Sequence, residues 1–536
     1  MDDAASAQPA RLRQRIIRAT EALIVFSLLM YAVFAPHSIA ITQGSFLLGL
    51  SAWAVQLFCS RNVRSLRSPL DIAILGFFAC CVVSSFFSYD PMVSLKGLKS
   101  PAFFLAFYFV SKKVSSLRLA IVMAGLIVAS SMVGVAYSAG QLAVGRGLRI
   151  ESISPESVLA RQNLKVGDVI LEVDGQKVKT AEDISRIVDS QRGRVRIRFS
   201  RGETIGEVTV SRRAIRRSPG VGVERLGIAT NPGRSFRVSG FYSHYETYAE
   251  VLQLIAALAF GLWVALPTKR SAMGFLLIGA LALLIPTLFL TSTRAAMGGL
   301  AAGAAVISVA SFQRRTLLIT ALGLLVLAPL AFLSVERFRG ISFVDPKEGS
   351  TAYRLEVWQE ALGMMKDHPL IGIGKGSEAK AELKEQFGLY DGGRLPPGHF
   401  HSSPIQIATW WGLPALVFYF SMMTIILTRS WSLAKALRAR NQTKAWGLVL
   451  GGMGAVTAFN VSSVFHFNFG DGEVVMMFWL LTGLVFAAGR LAAEPSNEQS
   501  THSQPPSSPD SSGRNRRRAQ EEAVESSVRA AGVTQR

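Results

Sequence analysis

LRLAIVMAGLIVASSMVGVAYSAGQLA, Leu117–Ala143, runs straight into VGRGLRIESI, Val144–Ile153, and the change of pattern across that junction decides the fold. The first stretch is apolar apart from Arg118 and exceeds the roughly 20 residues that cross a bilayer. The second alternates apolar and polar residues with the period of a half-buried strand. Runs like the first recur at Ile16–Ala35, Ile39–Cys59, Leu70–Ser88, Ala102–Val110, Tyr248–Leu266, Ala272–Leu290, Ala295–Ser311, Leu317–Ser334, Ile405–Leu427, Ala445–Phe465 and Val474–Ala488. Half of the 536 residues are hydrophobic. The expected fold class is an all-α polytopic membrane protein of about 12 spans with a small inserted α+β domain.

Short-loop lysines and arginines mark the side that resists translocation. Arg11, Arg13, Arg15 and Arg18 precede the first span, and alternate loops carry Arg61, Arg64, Arg67, then Lys112, Lys113, Arg118, then Lys269, Arg270, then Arg314, Arg315, then Arg429, Lys435, Arg438 and Arg440. Both termini are therefore expected to be cytoplasmic, with Gly145–Tyr245 and Val335–Pro404 on the other side. The first span is too long for a signal-peptide core and Ser38-Ile39-Ala40 is a poor cleavage site, so it reads as a retained anchor. The net charge of +21 is spread over these loops and the tail, where it sets topology and meets anionic lipid heads; nucleic acid is not an expected partner. Cys59, Cys80 and Cys81 lie in or at the end of spans and imply neither disulfide nor metal site.

The chain thus divides into 1–144 (spans one to five), 145–215 (the insertion), 216–334 (a linker and spans six to nine), 335–404 (a large polar loop), 405–490 (the last three spans) and 491–536 (a tail). From Glu494 the tail is rich in Ser, Pro, Gln and Arg, a composition that cannot bury enough surface to order itself.

Within the insertion, Leu164-Lys165-Val166-Gly167-Asp168-Val169-Ile170-Leu171-Glu172-Val173-Asp174-Gly175 resembles the PDZ family, with Gly-Asp turning the chain into a strand and Asp-Gly closing a hairpin. PDZ domains bind a peptide C-terminus by strand addition. The resemblance implies a protein C-terminal peptide as partner and Gly147, Leu148, Arg149 and Ile150 as its binding loop and strand. A domain that only braces the membrane core is the other reading.

The loop 335–404 carries Tyr353–Met365, an amphipathic helix with Leu355, Trp358, Leu362 and Met365 at helical spacing, stopped by Asp367-His368-Pro369. Arg354 and Trp358 share one side of it. Pro369-Leu370-Ile371-Gly372-Ile373-Gly374-Lys375-Gly376 follows; it is superficially like a phosphate loop, but it follows a helix and reads as a turn. Then come Gly398-His399-Phe400-His401-Ser402-Ser403-Pro404 and a span containing Trp410-Trp411-Gly412-Leu413. No HExxH occurs, His399 and His401 have no Cys, Asp or Glu near them, and no GxSxG is present, so neither a zinc site, another metal centre nor a serine hydrolase is expected.

This order, together with Thr291-Ser292-Thr293-Arg294-Ala295-Ala296-Met297-Gly298, resembles the O-antigen ligase and polymerase superfamily of bacterial envelope glycosyltransferases, which share the C-type glycosyltransferase architecture. Ser402 departs from the Asn common in the family after the second His. The resemblance implies a cofactor-free, metal-independent, inverting transfer of glycan at the periplasmic face of the inner membrane. The donor is an undecaprenyl-diphosphate-linked glycan, the acceptor a hydroxyl of lipid A-core or another glycan, and the surroundings are membrane lipids. A leaving diphosphate gathers negative charge, which without a metal calls for fixed cations; Arg294 and Arg354 are the candidates. His401 is the candidate general base. His399 and Trp358 are candidate supporting contacts, and Arg237, His244 and Glu246 candidates for the acceptor side. A ligase is favoured, with a polymerase, a protein O-oligosaccharyltransferase and a non-enzymatic scaffold or transporter as alternatives. The informative polar residues gather at the outer ends of spans, which favours interfacial chemistry over transport.

Overall fold

The computed structural model describes residues 2–60, 67–145, 147–201, 204–233, 237–339, 349–388 and 398–493. Arg61, Arg64, part of the polar loop and the tail from Glu494 lie outside the described residues. Eleven described segments are long and apolar enough to cross a membrane, and Asp71–Phe86 is a shorter apolar helix. These fall on the twelve segments read from hydropathy. The protein is a multi-pass membrane protein.

The N-terminal helices are α1 (Asp2–Phe34), α2 (Ile39–Ser60) and α3 (Asp71–Phe86). The fourth span is not continuous: α4 (Pro91–Gly97) passes through a 3₁₀ turn at Pro101–Phe104 into α5 (Leu105–Lys113). Pro101 supplies no N–H, so the α-helical ladder is interrupted where that proline falls, although Ser100 before it keeps helical angles (φ −71°, ψ −52°). Next comes α6 (Leu117–Val144). Lys112 Nζ donates to Arg67 O at 2.6 Å, Arg490 Nη2 to Val114 O at 2.6 Å, and Arg13 to Cys59 O, so the basic ends meet on one face.

The insertion is an antiparallel sheet of β1 (Leu148–Ile153), β2 (Val169–Val173), β3 (Gln176–Lys177), β4 (Arg194–Arg201), β5 (Thr204–Ser211) and β6 (Ile228–Pro232). It carries helices α7 (Val158–Arg161), α8 (Ala181–Ser190) and α9 (Arg212–Arg217). Strand order is β5-β4-β2-β1-β6, with β3 on β2. Asp168 accepts Lys165 N at 2.8 Å and pairs with Arg201 at 2.7 Å, which is why a Gly-Asp turn feeds β2.

Two expectations for this domain change. It does not end at 215: Ile215, Leu226 and Ile228 pack into its own core, and β6 completes the sheet. Nor are Gly147–Ile150 a ligand edge, because β1 is bonded to β2 on one side and β6 on the other. Gly147 is needed for a close approach inside the sheet; a Cβ there would stand 2.3 Å from Ile170 O. The sequence alternation in Leu148–Ile153 marks a strand but carries no information about how many neighbours it has.

After the domain, α10 (Tyr245–Ala265), α11 (Ala272–Leu290), α12 (Arg294–Ser311) and α13 (Arg314–Arg339) lead to α14 (Gly349–Asp367) and α15 (Ala381–Phe387). The chain closes with α16 (Ser403–Ala439), α17 (Thr443–Ser463) and α18 (Gly472–Ala493). Helix α17 lies against α10 and α12 by backbone contact: a Cβ on Gly261 would stand 2.1 Å from Gly451 N, and one on Gly303 2.5 Å from Gly454 O. Such small-residue seams replace the hydrophobic drive that lipid removes. Gly261→Val should force α10 off α17 and cost about 3 kcal/mol or more, read as a lowered thermal midpoint of the detergent-extracted protein.

Candidate active site

Helix α16 is kinked at Gly412, whose φ of 83° and ψ of 169° are not helical. The kink exposes carbonyls that lipid cannot satisfy. The glycine run satisfies two of them, with Ile373 N donating to Thr409 O at 3.0 Å and Gly374 N to Trp410 O at 2.9 Å, while Pro369 O accepts the helix N–H of Leu413 at 2.8 Å. Ser84 Oγ adds a bond to Trp410 O at 2.7 Å. Gly372 must lack a side chain, since a Cβ would stand 2.5 Å from the Trp410 backbone. The run is a turn that clasps the kink.

The clasp sets where α16 begins, and the histidine pair lies just before it. Phe400 is fully buried; its N–H donates to Gln406 Oε1 at 2.8 Å, and its carbonyl accepts Trp358 Nε1–H at 2.7 Å. The two histidines flank that plug with ring centroids 4.1 Å apart. His401 adopts a left-handed φ of 49°, unfavourable for a residue with a Cβ and found where surroundings impose it. Its N–H donates to His399 Nδ1 at 3.1 Å, which leaves the neutral His399 with its proton on Nε2. Ser402 Oγ accepts Ile405 N at 3.5 Å as the N-cap of α16, a role that Asn fills equally well.

Helix α14 delivers Arg354 and Trp358 from one side, as their spacing predicts, but the face is rotated. Val357, Ala361 and Met364 are buried, whereas Leu355 and Leu362 are exposed. Trp358 reaching Phe400 O and Tyr353 meeting the His401 ring edge-on at 5.7 Å fix that rotation.

The arginine meets a carboxylate from α10. Glu246 Oε1 lies 3.8 Å from Arg354 Nη2 and 3.6 Å from His466 Nε2, and Glu246 Oε2 lies 3.7 Å from His244 Nδ1. Arg237 stacks over Tyr245 with its guanidinium carbon 4.1 Å from the ring centroid, and donates to Ser292 O at 3.2 Å. Ser292 is in the buried Thr291-Ser292-Thr293 turn that starts α12, so Arg294, half-buried in the first turn of that helix, belongs to the same neighbourhood. Thr293 does not cap α12 with its side chain, and the helix's positive end adds to the two arginines.

Burial pushes His401 down to about 3, and neighbouring His399 adds to this, with Glu246 opposing. His399 is lowered by burial as well. His466 moves the other way: burial resists its charge, but Glu246 and the bond to Glu250 outweigh burial and raise it. The surroundings therefore disfavour charge on His399 and His401 and favour it on His466, beside Glu246.

The structure brings together His401, His399, Arg354, Trp358, His244, Glu246 and Arg237. His466, Glu250 and Gln253 were not read from the sequence as site residues. Glu250 and Gln253 lie inside the span, not at its end, and both are buried. Their signal was present: Glu246, Glu250 and Gln253 are i, i+4 and i+7 on one helical stripe.

Residues 279–420 match the O-antigen ligase family, and residues 149–201 match the PDZ domain family. The first match includes Arg294, Arg354, His399 and His401 but not the α10 and α17 side of the cluster. No curated protein matches the chain. The chain is a multi-pass membrane protein whose residues 279–420 are similar to the O-antigen ligases, a glycosyltransferase-like membrane enzyme segment, and whose residues 149–201 are similar to PDZ domains.

Proposed function

We propose that this protein transfers a glycan from an undecaprenyl-diphosphate carrier to a hydroxyl of lipid A-core or a similar acceptor, at the periplasmic face of the inner membrane. The observation that carries the reading is that Arg354 and His466 both lie against Glu246, and that the loop of the His399–His401 pair is tied to His466 through Ser403, at the ends of helices whose other ends carry the basic loops. That clustering of lysine and arginine supports cytoplasmic termini, with the site and the PDZ domain on the opposite side.

In this reading Arg354 and Arg294 bind the diphosphate oxygens, with Arg237 beside them. The acceptor hydroxyl attacks the anomeric carbon as the bond to the diphosphate oxygen breaks, and the hydroxyl proton passes to His401. Direct displacement inverts the anomeric configuration without metal or cofactor. Bound diphosphate also brings the negative charge that lifts the basicity of His401 from its depressed value. His399 and Trp358 hold the His401 loop, and His244 faces the acceptor side.

The test is the envelope glycan profile of a deletion strain complemented with wild type, Arg354→Ala or His401→Ala, with lipid-linked intermediates extracted alongside. Full-length glycan left on the carrier identifies a ligase, and single repeat units identify a polymerase, the second reading. Normal glycan from both well-expressed variants would overturn the assignment.

The PDZ domain is proposed to recruit a protein C-terminus at β6, the sheet edge beside the Leu226-Gly227 turn, instead of at β1. Its entry and exit lie together: Gly233 N donates to Gly147 O at 2.9 Å. Excising Gly147–Pro232 should therefore leave the membrane core folded and transfer by the detergent-extracted enzyme intact, while excision only to Arg213 strands β6 and lowers the yield of folded protein.

A further inference from the structure

Among the described residues of the membrane core, Glu250 and His466 are the buried acidic and basic side chains, and they stand beside Glu246, the carboxylate that Arg354 meets. His466 lies between two carboxylates, its Nδ1 2.7 Å from Glu250 Oε1 and its Nε2 3.6 Å from Glu246 Oε1. Glu250 is held from other directions too: Ser462 Oγ donates to its Oε2 at 2.7 Å, Asn468 Nδ2 at 3.3 Å, and Gln253 Nε2 also donates to it. Two carboxylates one helical turn apart in a water-poor interior repel unless a cation stands between them. The imidazole of His466 is placed there, and Glu246 and Glu250 raise it toward its charged form.

The same residue also touches the catalytic loop through its backbone. His466 O accepts Ser403 N at 3.1 Å and Ser403 Oγ at 3.2 Å, two residues after His401. Ser403 Oγ reaches Asn468 Oδ1 at 2.9 Å. One residue thus links the acidic stripe of α10 to the start of α16.

Resting on the reading of Arg354 as a diphosphate ligand, we propose that His466 is a positioning residue: by sharing Glu246 and Glu250 it weakens the hold of Glu246 on Arg354, and with it the competition that Glu246 offers to the donor. The charge count gives the reason. Glu246 and Glu250 share the imidazole of His466, and Arg354 and His244 stand beside Glu246 at 3.8 and 3.7 Å. Without the imidazolium, two carboxylates face one guanidinium, and Glu246 competes with the incoming diphosphate for it. The effect falls on donor binding and not on the acceptor.

The test uses full-length protein in detergent and, as donor, lipid-linked glycan extracted from the deletion strain. His466→Gln should raise the donor KM about tenfold and leave the acceptor KM unchanged. Adding Glu250→Gln removes the surplus negative charge and should return the donor KM most of the way to wild type. A purely structural role predicts the opposite, since a second change in one buried network would add damage. If His466→Gln alone does not fold, Glu250→Gln decides by itself, because it should leave the donor KM equal to or below wild type; a raised value overturns the proposal. Arg354→Ala is measured in parallel. Unchanged transfer there overturns the functional reading itself; loss of transfer there, with an unmoved donor KM in His466→Gln or no recovery in the double variant, overturns only the role of His466.

Discussion

Arg354→Ala is expected to lower glycan transfer by about 1000-fold while leaving the protein folded and inserted. The chemistry asks for a fixed positive charge at the departing diphosphate, and a cation that is already desolvated and oriented needs no reorganisation as charge develops. Arg354 meets that description: its side chain is 16 % exposed, it sits on a helix seated by Val357, Ala361 and Met364, and Glu246 lies 3.8 Å away. Val357, Ala361 and Met364 are fully buried and Trp358 is bonded to Phe400 O, so α14 has seating apart from the arginine, and alanine should remove charge without unseating the helix. Arg354→Lys should recover only part of the loss, since an ammonium cannot grip two phosphate oxygens in one plane. The check is transfer by purified protein, with accumulation of carrier-linked glycan in cells. Full activity of Arg354→Ala would end the assignment.

How far the sequence could be read depended on what kind of signal each part leaves. Membrane spans declare themselves because every exposed backbone or polar group in lipid is costly, so long apolar runs admit few other meanings. Even the interrupted fourth span left Pro91 and Pro101 as marks. The PDZ domain showed in its turn chemistry around Gly167-Asp168 and Asp174-Gly175, yet its extent did not, because β6 returns from residue 228 and pairs with β1 across the whole domain. Pairing at that separation has no local pattern. The same limit misplaced the peptide edge: alternation defines the faces of a strand and is silent about its neighbours.

The site divides in the same way. Arg354, Trp358, His399 and His401 stand out because they are polar or aromatic residues in one large polar loop between apolar segments. His466 does not, since Val464-Phe465-His466-Phe467 reads as the frayed end of a span, and its partners lie more than 200 positions away in sequence. Glu250 lies inside an apolar span, one helical turn after Glu246, where only its spacing marks it. Acids at helical spacing inside a span are a functional signal in themselves, since such residues are costly in lipid.

His401→Ala is expected to reduce turnover roughly 1000-fold, the size that loss of a positioned general base carries, with donor binding largely retained because Arg354 and Arg294 remain. The pH dependence gives a sharper test. A base must be neutral to accept a proton, and burial and His399 push His401 to about 3, so it stays neutral across the ordinary range. The acid limb of kcat/KM, which reports the free enzyme, should therefore lie well below 6.5. The limb of kcat, which reports the complex, should lie higher, because bound diphosphate favours the imidazolium. Both limbs assigned to His401 should vanish in His401→Ala. The same shift has a sign for stability: the unfolded chain binds this proton near 6.5 and the folded chain does not, so stability is lost as pH falls below 6.5 toward 3. His401→Gln, which cannot be protonated, should flatten that acid loss in thermal midpoint while still abolishing transfer, separating the base from the fold it strains.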